Sequence, residues 1–299
     1  MRRMRSRLGA LFSVLALASV AARANAQAAD WSAVDGALGR AGSAQPGNVQ
    51  KYSFPRSDLS VSLAGTRLKP GLALGTWLAF KRTSDGKALA MGDLVLTEDE
   101  VPAVMSRLQQ GGVEQTAVHN HLIGESPRVI YMHVMARGDA ATIANALRAG
   151  LSQSKTPLAA PAPQSPAALD LDTAAFSSAL GVKGKGNGGV WQVAVPRPET
   201  IREGADEIPP SMGLATSINV QPTGNGRAVA TGDFVLLPSE VNPVIRALKA
   251  NGIAITALHS HLMVDQPHVL FMHFWGNDDA AKLARGLRAA LDATAMAPR

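Results

Sequence analysis

The sequence of 299 residues contains no cysteine, few aromatic residues and, beyond its first 28 positions, no apolar run long enough to cross a membrane. The absence of cysteine excludes disulfide bonds, thiolate metal ligands and lipid attachment through an N-terminal cysteine. Aromatic residues make up only 4% and no lysine-rich segment is present, which together argue against nucleic acid as a partner. Hydrophobic residues nevertheless make up 46%, which is enough for a packed core.

The first 28 residues have the pattern of a secretory signal peptide. Arginines precede the apolar segment LGALFSVLALASVAA, and small residues offer cleavage sites near Ala26 or Ala28. Five of the 29 basic residues precede residue 27, where no acidic residue lies, so the rest of the chain carries 24 basic and 23 acidic residues. The formal net charge of +6 therefore gives no support for nucleic-acid binding. We expect a periplasmic or secreted protein that is not a lipoprotein.

The sequence contains two copies of one unit. Residues 116–151 align without a gap with residues 256–291, and the upstream block ALAMGDLVLTEDEVPAVMSRL matches AVATGDFVLLPSEVNPVIRAL. The segment between the copies is rich in proline and alanine, as extended linkers are. We therefore predict a signal peptide at 1–28, a first repeat at 29–152, a linker at 153–169, a second repeat at 170–293 and a tail at 294–299.

Each copy has the pattern of an α+β domain. A short amphipathic helix with Val34 and Leu38 on one face precedes strand-like runs, a helix after Thr97, a hairpin, and a last helix that begins at Asp139 or Asp279. We predict two homologous repeats, each an antiparallel sheet with helices packed on one face. Because duplication usually preserves the interface of a former homodimer, we expect a pseudo-two-fold pair. The alternative is two independent domains connected by a proline-rich linker.

All seven histidines lie in two segments, HNHLIGESPRVIYMH at 119–133 and HSHLMVDQPHVLFMH at 259–273. Alternate residues of a strand share a face, so the two histidines of each His-x-His pair point the same way. If residue 119 pairs with residue 133 across a hairpin, the third histidine joins them, and a carboxylate in the turn is near enough to reach them. Such ligands suit zinc, manganese, iron, nickel or copper. The predicted ligands are His119, His121, Glu125 and His133 in one site, and His259, His261, Asp265 and His273 in the other.

Other residues near the hairpins are candidates for supporting roles. Asp93 and Asp233 follow glycine in a strand, where each accepts a hydrogen bond either from a histidine N–H or from the end of the sheet. Tyr131 is a candidate for the wall of a pocket, and Arg128 or His268 for a contact to an anionic group of a substrate.

Two recurring arginines and one glycine-rich motif are weaker candidates for a ligand site. Arg56 and Arg197 each follow proline, and either an anionic ligand or a structural ion pair accounts for them. The motif GKGNGG at 184–189 follows a predicted helix and precedes a predicted strand, which is the reverse of the dinucleotide-binding order, so it predicts a turn. No organic cofactor and no catalytic residue is assigned.

The repeated blocks resemble the LppY/LpqO family of bacterial envelope proteins. The resemblance rests on the Gly-Asp-x-Val-Leu…Glu-Val block, the His-(Asn/Ser)-His-Leu…Pro…(Tyr/Phe)-Met-His block and the Asp-Ala-Ala helix that follows, and it covers nearly all of residues 30–293. It implies export and a duplicated domain but no assigned reaction. Lipid anchoring does not carry over, because this chain has no cysteine.

The leading expectation is an exported protein that binds a divalent transition metal in each repeat. The alternatives are a metal-dependent hydrolase or oxygenase-like enzyme, and a metal-free envelope module that binds a small molecule or a cell-envelope ligand. A closed coordination sphere favours storage or structure, whereas an open position beside a pocket favours chemistry.

Overall fold

The computed structural model of the chain describes residues 30–160 and 168–296. The predicted signal peptide, the middle of the predicted linker and the last residues of the predicted tail lie outside the described residues. None of the described helices is long and apolar enough to cross a membrane.

The first repeat has the predicted order of a short helix, strands, a helix, a hairpin and a last helix. Its elements are α1 (Ser32–Leu38), β1 (Ser43–Gln45), β2 (Val49–Pro55), β3 (Ser62–Leu63), β4 (Thr66–Arg67), α2 (Pro70–Ala73), β5 (Gly75–Arg82), β6 (Ala88–Thr97), α3 (Val101–Gln110), β7 (Glu114–His119), β8 (Val129–Gly138) and α4 (Ala140–Leu151).

The second repeat follows the same order, with a 3-10 turn at Pro210–Met212 where the first repeat has α2. Its elements are α5 (Thr173–Leu180), β9 (Lys185–Asn187), β10 (Val190–Pro196), β11 (Ile201–Glu203), β12 (Asp206–Ile208), β13 (Ala215–Gly224), β14 (Arg227–Leu236), α6 (Pro238–Ala250), β15 (Ala254–His259), β16 (Asp265–Gln266), β17 (Leu270–Asp279) and α7 (Ala280–Asp292).

The long strands of each repeat form one antiparallel six-stranded sheet. The strand order is β1-β2-β5-β6-β8-β7 in the first repeat and β9-β10-β13-β14-β17-β15 in the second. Helices α1, α3 and α4 pack on one face of the first sheet, where Leu78, Leu94 and Met132 meet Leu108 and Leu147. The second repeat has an equivalent core beneath α5, α6 and α7. The predicted α+β fold is confirmed.

The last helix of each repeat begins where the sequence predicts it. Asp139 caps α4 by accepting a hydrogen bond from the Thr142 backbone N–H at 2.8 Å, and Asp279 caps α7 through Lys282 at 3.0 Å. An aspartate in this position satisfies one of the free N–H groups of the first turn. These caps end the strands β8 and β17, which carry the third histidine of each repeat.

The second face of each sheet packs against the other repeat. One apolar cluster joins Met91 and Met135 of the first repeat to Val235 and Phe271 of the second. A second apolar cluster joins residues of the first repeat to Val229 of the second. Each sheet is therefore covered by its own helices on one face and by the other repeat on the opposite face, which confirms the predicted pseudo-two-fold pair.

An arm from each repeat crosses to the other: residues 56–74 form the first arm and residues 197–214 the second. In the first arm, the Lys69 backbone N–H donates to Gln221 Oε1 at 2.8 Å, and Gln221 Nε2 donates to the Arg67 carbonyl at 2.9 Å. In the second arm, Ser211 Oγ donates to the Pro46 carbonyl at 2.7 Å. The arms add polar contacts to the apolar interface and enclose the space between the two sheets.

The recurring arginines form structural ion pairs, which settles the alternative left open by the sequence. The buried Arg56 side chain lies 2.7 Å from Glu100 and 2.8 Å from Asp58. Arg197 likewise lies 2.7 Å from Glu240. Because the arginines stand at the start of the arms and the glutamates at the start of α3 or early in α6, each pair fixes an arm to its own sheet.

Residues after the last helix of each repeat pack on that repeat. The Lys155 backbone N–H donates to Glu100 at 2.7 Å, and the Ala295 N–H donates to Glu240 at 2.8 Å. Thr156 and Met296 are buried. The segments predicted as linker (153–169) and tail (294–299) therefore begin with residues that belong to the two folded units.

Candidate metal centre

Each histidine segment forms a hairpin at one edge of its sheet, in a register two residues away from the predicted one. His119 pairs with Tyr131 and Ala117 pairs with His133, whereas the sequence predicted that residue 119 would pair with residue 133. A shift of two residues keeps every side chain on its face, so His119 and His133 still point to the same side. The register prediction was wrong, but the shared face is retained. The second repeat has the matching register, with His259 opposite Phe271.

The six hairpin histidines form one cluster at the interface between the repeats. The group of His119, His121 and His133 predicted for the first repeat is present, whereas His259, His261 and His273 of the second repeat gather together with His119. The ring centroid of each imidazole in the cluster is nearest to that of an imidazole in the other repeat. The cluster lies on the pseudo-two-fold axis, where the sheets face each other. The three pairs, measured between ring centroids, are His119 with His259 at 3.6 Å, His121 with His273 at 3.8 Å and His133 with His261 at 3.5 Å.

The ring nitrogens of this cluster are close enough to hold a metal ion. One nitrogen from each of His119, His259, His261 and His273 lies within 4.8 Å of the others, and His119 also forms such a group with His121 and His133. The nitrogens fit either one ion with ligands from both repeats or two ions whose sites meet at His119.

Backbone hydrogen bonds orient two of the rings toward the cluster. His119 Nδ1 lies 3.1 Å from the Asn120 carbonyl, and His273 Nδ1 lies 3.0 Å from the Gly232 carbonyl. A carbonyl only accepts, so in the neutral rings the proton lies on Nδ1 and the lone pair on Nε2. Both Nε2 atoms are buried and have no hydrogen-bond partner among the described residues. The carbonyls therefore fix the tautomer that a metal ion requires.

A buried aspartate, Asp93, and a half-buried one, Asp233, stand beside the histidines. Asp93 lies opposite His133 on the neighbouring strand, with its carboxylate 3.7 Å from His133 Nε2 and 3.8 Å from His121 Nε2. Asp233 lies 4.0 Å from His273 Nε2. These distances are too long for hydrogen bonds but near the separation of about 3.4 Å between two ligands of a tetrahedral ion with bonds of about 2.1 Å. The Oδ1 atom of each aspartate is buried and has no hydrogen-bond partner in the described part of the chain.

Burial determines the protonation of the cluster. It lowers the pKa of His119 to about 4 and that of His259 to about 3, and it holds the pKa of the four other clustered histidines well below the usual value, an effect that neighbouring imidazoles increase. Burial also raises the pKa of Asp93 to about 8, which the charge of Lys51 opposes. The imidazoles are therefore neutral near pH 7, the form in which histidine binds metals.

The structure does not bring Glu125 or Asp265 to the cluster, contrary to the prediction from sequence. Glu125 Oε1 accepts a hydrogen bond from the Val129 N–H at 3.3 Å, and Asp265 Oδ2 accepts one from the Val269 N–H at 2.6 Å. Both carboxylates therefore cap the turn that leads into the second hairpin strand. Spacing along the chain indicated proximity to the histidines, but the backbone N–H four residues later is the nearer partner.

The remaining predicted residues divide into two groups. Tyr131 stacks on His121 with 3.3 Å between ring centroids, so it lies against the cluster. Arg128 is exposed and lies 3.4 Å from Glu98, and His268 lies 2.9 Å from Asp265 outside the cluster. Of the predicted supporting residues, Asp93, Asp233 and Tyr131 are therefore brought to the histidines, whereas Arg128 and His268 are not.

A large cavity between the two sheets reaches the histidines. It has a volume of about 920 Å³, and four histidines and both aspartates line one end of it. A smaller cavity of about 350 Å³ reaches His119 from the hairpin turn and includes Arg128 in its wall. Three of the six histidines are buried and three are half-buried, and the cluster adjoins open space that a small molecule can occupy.

Sequence reasoning missed Lys51 and Trp77, which line the large cavity. The signal that could have found them is strand alternation, since Lys51 is flanked in β2 by residues whose side chains point the other way. Trp77 pairs with Asp93 on the neighbouring strand. Asp93 in turn pairs with His133 on the next strand of the sheet. Register across several strands, which the sequence did not provide, connects these positions to the histidines.

The duplicated unit is the unit of a protein family. The family model described as "Domain of Unknown Function (DUF1259)" matches residues 32–153 and again residues 174–293. These matches cover most of the chain, so the chain belongs to this family, and it is a duplicated-domain protein. A comparison with curated proteins finds no match.

Solved structures with similarity to the chain include shell proteins of bacterial microcompartments. The trimeric shell protein PduB is 13% identical, with 84% of this chain and 89% of that chain covered, and EtuB from Clostridium kluyveri is 12% identical, with 84% and 88% covered. A double-ringed trimeric shell protein from the RMM microcompartment is 9% identical, with 69% and 82% covered. The TM-score is 0.21 in each case, which is too low to support an inference about this chain.

Proposed function

We propose that this protein binds one or two divalent transition metal ions through the histidine cluster that its two repeats share. The observation that carries the proposal is the set of buried nitrogen and carboxylate oxygen atoms that point into the cluster without hydrogen-bond partners among the described residues. Buried polar atoms are normally paired, and leaving one unpaired costs about 1–3 kcal/mol. A cation bound among the ring nitrogens would supply a partner for several of these atoms.

The type of ligand supports a transition metal over calcium or magnesium. Imidazole nitrogen is a ligand for zinc, copper, iron and nickel, whereas calcium and magnesium take oxygen ligands. The two aspartates would offset the charge of a divalent ion and act as ligands or as acceptors near the ligands. Hydrogen bonds to the Asn120 and Gly232 carbonyls already hold two rings with Nε2 toward the cluster.

Metal analysis of variants tests this proposal. The double variant His119→Ala/His259→Ala removes the pair on the pseudo-two-fold axis and should lower the metal content below half of that of the wild-type chain. His268→Ala is the matched control, because His268 is exposed and lies outside the cluster. Zinc or cobalt is added during growth, and the metal per chain is measured after purification without chelator. Wild-type protein without metal, or equal metal in the double variant, would contradict the proposal.

The large cavity supports metal-dependent catalysis as a second candidate function. An ion at the histidines would adjoin space for a substrate, and a metal ion can polarise a substrate or lower the pKa of a bound water. The reaction class would be hydrolysis or an oxygenase-like reaction. The test is a screen of activated esters and phosphoesters with metal-loaded protein. An activity that survives complete removal of the metal would contradict this candidate.

We further propose export, as the resemblance to the LppY/LpqO family implies. Support comes from the arginines, apolar segment and small residues of positions 1–28. Cleavage after Ala26 or Ala28 predicts a mature chain that begins at Gln27 or Ala29. Mass spectrometry of the periplasmic and secreted fractions should find one of these ends, whereas a full-length chain confined to the cytoplasm would contradict export. A metal-free envelope module remains the alternative if the metal analysis is negative.

A further inference from the structure

The large cavity differs in its two walls although the repeats share one fold. At the position next to each aspartate the first repeat has Trp77, which pairs with Asp93, and the second has Ser217, which pairs with Asp233. The small Ser217 side chain leaves open the space that an indole fills in the other repeat. The two walls of the cavity therefore differ chemically, because the two repeats have different side chains at equivalent positions.

A second difference places a single cation in the cavity. Lys51 pairs with Ala79 in the first sheet, and its counterpart Gln192 pairs with Asn219 in the second. Among the described residues that line the cavity, Lys51 is the only lysine or arginine, and Asp93 and Asp233, at the histidine end, are the only carboxylates. The cavity lining therefore has one ammonium group, on β2, and two carboxyl groups beside the histidines.

The Lys51 ammonium is held by an aromatic ring. It lies 4.2 Å from the centroid of the Trp77 ring, a distance typical of a cation–π contact. Burial lowers its pKa to about 8, which the charge of Asp93 opposes. An anion bound at this ammonium would replace part of the hydration that burial removes, so the group is prepared for a negatively charged partner.

The position of Lys51 sets the scale of a ligand. Lys51 lies on β2 and Asp93 on β6, with β5 between them. Two strand spacings of about 4.8 Å separate the backbones of these strands by about 10 Å, which is an upper scale for the ligand because the Lys51 ammonium lies over Trp77 of the strand between them. A small organic molecule can span this distance inside the cavity, whose volume is within the usual range for ligand sites of about 300–1,000 Å³. A single ammonium matches the single charge of a carboxylate, whereas phosphate sites usually combine several donors or cations.

We propose that the cavity binds a small organic carboxylate whose negative group pairs with Lys51 and whose body extends toward the histidine cluster. This inference rests on the proposed metal-binding function, because it identifies the class of ligand that the metal centre would meet. The Ser217 side of the cavity accommodates the body of the ligand, and the neutral side chains of Gln192 and Asn219 form the wall around it.

Calorimetry with benzoate as the probe tests the inference on the full chain loaded with zinc. Benzamide has the same shape without the charge and should bind at least ten-fold more weakly. Lys51→Gln should weaken benzoate binding about ten-fold or more, and Lys51→Arg should retain most of it. Lys81→Gln is the matched control, because Lys81 lies on the neighbouring strand, contacts the Glu207 carbonyl and does not line the cavity.

A second variant tests the site through the space available to the ligand and not through charge. Ser217→Trp introduces the residue that the first repeat carries at the equivalent position, and it should abolish benzoate binding while metal content stays unchanged. Benzoate binding that is absent from the zinc-loaded wild-type chain, or unchanged in both Lys51→Gln and Ser217→Trp, would overturn the inference. Elemental analysis of the same samples reports on the metal separately, so a failure of the metal proposal is distinguished from a failure of the carboxylate site.

Discussion

At the scale of single residues, the main feature is a set of buried polar atoms that have no hydrogen-bond partner within residues 30–160 and 168–296. Asp93 stands between His133 on the next strand and Trp77 on the strand before it. It has no hydrogen bond to either histidine nearby, and burial raises its pKa. A structural aspartate would normally accept hydrogen bonds from neighbouring N–H groups. The position of Asp93 is more favourable for a metal-bound state than for the metal-free chain.

The variant Asp93→Asn distinguishes a metal-binding role of Asp93 from a structural one. The amide retains the shape but removes the charge, so we expect zinc affinity to fall at least ten-fold. The melting temperature of the metal-free chain should stay the same or rise, because a buried group that must be protonated or paired is lost. Calorimetry with zinc and thermal unfolding in chelator measure the two effects. A structural role for Asp93 predicts instead that the metal-free variant melts at a lower temperature.

At the scale of secondary-structure elements, the sequence predicted most of what local chemistry determines. Apolar periodicity and the Asp139 and Asp279 caps place the helices, because these signals depend on neighbours within a few residues. The hairpin register was wrong by two residues, since it depends on a turn in which Glu125 bonds to the Val129 N–H. The union of the two histidine groups depends on contacts between repeats, which spacing along one chain does not reveal. The alternation of side chains predicted which face of a strand each residue occupies, but it did not predict which strands pair with each other.

The buried Arg56–Glu100 pair provides a prediction at the level of elements. It joins the first arm to the start of α3, and Glu100 also accepts hydrogen bonds from the Lys155 and Thr97 N–H groups. Removal of one member leaves the other charge buried, so Arg56→Met should destabilise the chain by about 3–5 kcal/mol. Denaturant unfolding measures this loss. An effect below about 1 kcal/mol would show that the pair does not hold the arm.

The same pair predicts how stability depends on acid. Burial alone would raise the pKa of Glu100, but hydrogen bonds from Arg56 and from backbone N–H groups outweigh it and lower that pKa. A carboxylate with a lowered folded-state pKa stabilises the fold above its unfolded pKa of about 4.3, and this contribution is lost as pH falls through the folded value. The loss of stability in this pH range should therefore be smaller in Arg56→Met than in the wild-type chain. Equal pH dependence would contradict the assignment.

At the scale of the whole molecule, the histidine cluster and the interface between the repeats are parts of one structure. The histidine cluster lies between two apolar clusters that join the sheets, and the arms cross from each repeat to the other. Strand β6 is buried along nearly its whole length because helices cover one face and the second repeat covers the other. A repeat alone would expose the face that the other repeat covers and hold only three of the six histidines.

Expression of the two repeats as separate chains tests whether the histidine cluster depends on the interface between them. Residues 30–156 and 170–296 should each be poorly soluble or bind each other, because each exposes an apolar face that the other covers. Zinc should strengthen their association, since ligands from both halves meet in one cluster. By linkage, the factor by which zinc tightens association equals the factor by which association tightens zinc binding. Ultracentrifugation with and without zinc measures the first factor and calorimetry the second. Two stable monomers with no affinity for each other, each retaining full zinc affinity, would contradict the shared centre.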